Sequence, residues 1–143
     1  MESFLQRVAD ETESIFWGGE HTYVDFMRLL RGAAFQLSGR YHHVILGARV
    51  GCPAVAFAGA SHKVHGVCEL LDGLVGQPYD SGELGALIDE IVDRCTEIVS
   101  RGRDLREQLI ERSQVLGRET AALGDMLADI LRSLPPRGDR CER

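Results

Sequence analysis

Two different hydrophobic rhythms divide this chain, and the switch between them near residue 80 constrains its fold more than any other feature. Before the switch, short apolar runs closed by glycine, serine or proline alternate with stretches whose apolar residues recur every three or four positions. After it, no strand-like run occurs and the helical period continues to residue 134. Strict alternation of strand and helix implies parallel strands joined by right-handed crossovers, so the first rhythm predicts a parallel sheet. The second predicts helices alone.

Taken in order, residues 3–11 read as a short helix and residues 14–19 (Ser-Ile-Phe-Trp-Gly-Gly) as a strand. A helix follows over 21–31, a strand over 35–38, a helix over 42–50, a strand over 53–58 and a helix over 61–71. From Ser81 onward Leu84, Leu87, Ile88, Ile91, Val92, Cys95, Ile98 and Val99 form one apolar helical face. Gly102 breaks or bends that helix. Beyond it Leu109, Leu116, Leu123 and Ile130 recur in sevens, with Leu127 and Leu134 on a flanking row, until Pro135 and Pro136 stop the pattern. The predicted fold class is therefore α/β, with a small parallel sheet of about three or four strands, half of a Rossmann-like domain, followed by a long helical C-terminal segment. Residues 1–80 form the α/β unit, 81–136 the helices that pack on it or oligomerise, and 137–143 a disordered tail. A doubly wound sheet usually has more strands, about five or six. Either the helices cover an unusually small sheet or the chain completes itself against something else.

Charge excludes one class of partner. The net charge is −6 and each side of residue 80 carries −3, so no basic face for nucleic acid is present. No apolar run is long enough to span a membrane, and Met1 is followed by Glu2 and a mixed polar stretch, so the expectation is a cytoplasmic protein without a secretory leader. Cys52, Cys68, Cys95 and Cys141 are dispersed without a CxxC pair, which predicts reduced structural thiols, and no metal site or cofactor is called for. Among the sixteen lysines and arginines only Lys63 is a lysine.

The densest polar cluster is Ser38-Gly39-Arg40-Tyr41-His42-His43, where a predicted strand ends and a helix begins. In open α/β sheets, ligands bind beyond the carboxyl ends of the strands, where helix N-termini present free N–H groups to an anion. Arg40 supplies a bidentate fork for carboxylate or phosphate, and His42 a side chain of the kind that exchanges protons near neutral pH. The next strand end repeats the arrangement with Ser61 as N-cap and His62 and Lys63 in the first turn. Cations in a first helical turn oppose the helix dipole, and a bound anion would offset them. Blander readings of the same residues are a histidine packed into the sheet, an arginine paired with an acid, and a lysine pointing into water.

The run Gly39-Arg40-Tyr41-His42, then Ile45, Gly47-Ala48, Gly51-Cys52-Pro53, Val55, Phe57 and Lys63-Val64 resembles a signature of the polysaccharide pyruvyl transferase family. That signature belongs to the C-terminal domain of a two-domain fold like the B-type glycosyltransferases. The resemblance is close over residues 23–71 and loose over 81–134. It implies transfer of a pyruvyl group from phosphoenolpyruvate to a pair of sugar hydroxyls. Arg40 and Lys63, with Ser61 and His62 beside them, would hold the donor anion, and His42 would serve in proton transfer. The family's N-terminal domain, which supplies acceptor contacts, has no counterpart in the sequence, so the resemblance implies a complex with a missing N-terminal half; the open edge of a three-stranded parallel sheet and the apolar seam of residues 109–134 separately predict a homo-oligomer or an obligate hetero-complex. Two further readings stand beside it: a non-catalytic interaction or dimerisation module, and the nucleotide-sugar-binding half of a B-type glycosyltransferase.

Overall fold

A computed structural model describes residues 22–59 and 62–133. Helix α1 (Tyr23–Gly32) starts at a capping box, in which the Thr22 hydroxyl accepts from the Asp25 amide and the Asp25 carboxylate accepts from the Thr22 amide. Strand β1 (Gln36–Ser38), helix α2 (Tyr41–Val50), strand β2 (Ala54–Ala58) and helix α3 (Lys63–Leu70) follow. These five elements lie within two residues of the predicted spans. Strand β3 (Tyr79–Asp80) and the long helix α4 (Ile88–Ser133) complete the order.

The three strands form a parallel sheet in the order β1-β2-β3, with Leu37 opposite Val55 and Phe57 opposite Tyr79. This is the small parallel sheet with a long helical segment that the two rhythms imply. The strand expected at residues 14–19 and the helix at 3–11 lie outside the described residues, as do Pro135, Pro136 and the tail. The helical period beginning at Ser81 does not become helix at once. Residues 81–87 are turns, and α4 starts at Ile88, because Gly82 and Gly85 lower helix propensity there and Asp80 accepts from the Gly82 amide at 2.7 Å. Gly102 does interrupt the helix, with φ 46° and ψ −117°.

The core runs from the sheet into α4. Ala54, Val55 and Ala56 of β2 share one buried cluster with Val44, Ala48, Val64 and Cys68 of the crossover helices and with Ile98, Leu105 and Leu109 of α4. The helical half therefore covers the sheet unit rather than standing apart from it. Arginines of α4 finish the joint. Arg106 donates to the carbonyls of Arg31 and Ala33 at the end of α1, at 2.6 and 2.7 Å. Arg112 donates to the Leu70 carbonyl at the end of α3 and pairs with Asp72. Each satisfies helix-terminal carbonyls that have no partner within their own helix.

Gly47 sets how closely α2 approaches β1. A Cβ there would fall 1.8 Å from the Gln36 side-chain nitrogen and 2.9 Å from the Cys52 carbonyl oxygen. The Gln36 amide occupies that space and donates to the His43 carbonyl at 3.1 Å, although Gln36 is buried. Gly47→Ala is expected to destabilise the fold by about 1–3 kcal/mol, as overpacking does, in spite of the better helix propensity of alanine. Urea denaturation measures this, and an unchanged or raised midpoint would contradict the packing described.

Candidate functional site

The parallel register brings the carboxyl ends of β1 and β2 to the same edge of the sheet, and the helices that follow both begin there. Ser38, the last residue of β1, is buried; its hydroxyl accepts from the Arg40 amide at 3.1 Å, which turns the chain sharply into α2. Arg40 is the N-cap residue, extended at φ −108° and ψ 117°, and makes no side-chain capping bond. His62 holds the corresponding place before α3 and also makes none. Neither helix has an acidic residue in its first turn. Two helix starts thus face one edge, and the described side chains that flank them are cations or imidazoles that make no capping bond.

Tyr41 links the two. Its ring lies against the His42 imidazole, with centroids 3.8 Å apart, and the Lys63 Nζ stands 5.4 Å from the Tyr41 centroid. The ammonium that follows β2 therefore sits beside the helix start that follows β1, within cation–π range of its first residue. Arg40, His42, His62 and Lys63 are all exposed. Ser61 lies outside the described residues. His43 turns away from this edge and packs against Phe26 of α1, with ring centroids 4.6 Å apart. Burial, then the charges of Arg40 and His42, holds its imidazole below the usual histidine range.

The spacing of residues gave no sign of β3, yet it adds a third strand end to the edge. Asp80 closes it and Glu83 follows, so the far side of the rim is acidic. The available signal was local: Tyr79 stands between Pro78 and the turn-forming Asp80-Ser81-Gly82. Among the described residues, no three metal-ligating side chains gather at one place. No described helix is long and apolar enough to cross a membrane. Cys52 and Cys68 are buried free thiols, and burial pushes the Cys52 thiol up to about 11, so it stays protonated and unreactive.

A further concave surface lies elsewhere. A groove of about 490 Å³ runs between the C-terminal ends of α2 and α3 and the middle of α4. The rim stands at the N-terminal ends of the same two helices. Comparison with models of known protein families, with curated proteins and with solved structures returns no match for this chain.

The lowered His43 pKa has a consequence for stability. The unfolded chain binds a proton at that imidazole more readily than the folded one, so acidification through the ordinary histidine value of 6.5 favours unfolding. A fall in melting temperature is expected on going from pH 7.5 to 5.5. His43→Phe, which keeps a ring against Phe26, should flatten that slope; equal slopes for both proteins would contradict the assignment.

Proposed function

We propose that the chain is the donor-binding unit of a pyruvyl transferase resembling the polysaccharide family, with phosphoenolpyruvate held at the rim where β1 and β2 end. The observation that carries the reading is the approach of Lys63 to Tyr41, which sets the ammonium that follows β2 beside the helix start that follows β1. Phosphoenolpyruvate carries a carboxylate and a phosphate ester on the same carbon, and it needs two anion-binding elements side by side. The start of α2 with Arg40 and the start of α3 with Lys63 are such a pair.

The chemistry is ketal formation. A proton adds to the methylene carbon of the donor while one sugar hydroxyl attacks the adjacent carbon and gives up its proton to replace the one delivered; the second hydroxyl then displaces inorganic phosphate, which leaves with that hydroxyl's proton. His42, exposed beside Arg40, is the group placed to move a proton at that edge. The acceptor side of such a cleft comes from a further domain or partner, so the chain alone binds donor but turns it over poorly. Phosphoenolpyruvate and nucleotide sugars are both cytoplasmic metabolites, and the reading sets the protein in that compartment. A nucleotide-sugar donor is the competing occupant of the same rim.

Calorimetric titration with phosphoenolpyruvate and with a nucleoside diphosphate separates the two. Preferential binding of phosphoenolpyruvate is expected. Lys63→Ala should weaken it by about 1.5–3 kcal/mol, the usual range for a charged hydrogen bond, and Lys63→Arg should rescue it only in part. Thermal stability should hardly move, since an exposed first-turn cation adds little to folding. Failure of the wild-type chain to bind phosphoenolpyruvate, or equal binding by all three proteins, would contradict the proposal.

A further inference from the structure

The second half of α4 carries an apolar face against which none of the other described elements is packed. Leu109 is buried in the core and Leu116 packs against it, but Leu123, Met126, Leu127, Ile130 and Leu131 are between 48 and 68% exposed. The sevens continue as the helix leaves the body. At 100° per residue, Arg118, Asp125, Asp129 and Arg132 fall on the opposite side of the helix, so this is a two-faced helix with a solvated back and an open front. Where the front meets the body it borders the 490 Å³ groove, floored by Ser113, Leu116, Gly117 and Thr120 and walled by Ile45 and Leu70.

We propose that this front joins two copies of the chain in an antiparallel pair, with the two-fold axis passing between Ala121 and Ala122. The face is self-complementary about that point. Leu127 of one copy meets Leu116 of the other, Leu123 meets Thr120, and Ile130 meets Ser113, so the large side chains of the projecting end enter the groove of the partner. Gly117 of one copy and Gly124 of the other fall about 3 Å apart along the axis, on one edge of the seam, and permit close approach of the helices. Leu123, Met126, Leu127, Ile130 and Leu131, with Ile45 and Leu70, offer roughly 600 Å² of apolar surface per copy, about 1,200 Å² for the pair, the lower bound for a stable specific interface. A single uncovered patch of that size is at the upper limit found on monomers. The inference is independent of what binds at the sheet rim.

Sedimentation equilibrium of the full chain is expected to give a dimer at micromolar concentration. Leu127→Glu should convert it to monomer with the melting temperature of the body retained, since Leu127 makes no core contact. Register is read by cross-linking, in a chain with Cys95 and Cys141 changed to serine. Thr120→Cys lies within a helical turn of its symmetry mate and should link through a short bismaleimide. Ile130→Cys lies about 25 Å from its mate along the axis and should not. A monomer at all concentrations, a dimer indifferent to Leu127→Glu, or linkage at residue 130 as ready as at 120 would overturn the proposal.

Discussion

Everything else in this fold depends on the seating of α4 across the sheet unit. Three short parallel strands and their crossover helices bury too little by themselves, and Ile98, Leu105 and Leu109, each almost wholly enclosed, complete the core that Val44, Val55 and Val64 begin. A fully buried leucine or isoleucine contributes about 1.5–3 kcal/mol, so those three side chains carry a stability comparable with that of a whole small domain. The arginines of the same helix act at longer range. Arg106 holds the end of α1 and Arg112 the end of α3, while Arg94 donates to the Leu74 carbonyl in the loop that leads to β3. In an arginine-rich chain these planar forks are well suited to gripping carbonyl groups from a distance.

This seating gives the helices two unlike ends. The C-terminal carbonyls of α1 and α3 are bonded by α4, whereas Arg40 and His62, the residues before α2 and α3, make no side-chain capping bond and neither helix carries a first-turn acid. The end held by arginine is structural; the other end presents amides, Arg40 and Lys63 to the edge of the sheet. Tyr41 sits at the meeting point, against His42 on one side and under Lys63 on the other. A ring face attracts an ammonium through its quadrupole, and this contact ties the start of α3 to that of α2.

Much of this was legible in the sequence, and what was not has physical reasons. Residues 36–70 could be placed because β-branched and apolar runs closed by Gly39 and Gly59 mark strand ends, and the 3.6 period marks the helices between them. The two-residue β3 could not, since a strand that short has no alternation to read. The heptad leucines were visible as a seam, but spacing does not tell which of them the body covers; the division falls after Leu116, where α4 leaves the sheet unit. The tasks of Arg94, Arg106 and Arg112 were invisible, because each bonds a carbonyl 20 to 75 residues away. The strand-end loops could be read because they are local. That Lys63 reaches Tyr41 rests on the parallel pairing of β1 with β2.

The central claim is that the two helix starts at the sheet rim act together on one anion. Amide chemical shifts followed during titration with phosphoenolpyruvate test it most directly. The account predicts saturable shifts with a common dissociation constant at the amides of residues 40–43 and of Lys63 and Val64. Shifts confined to one of the two helix starts, or none at either, would contradict it.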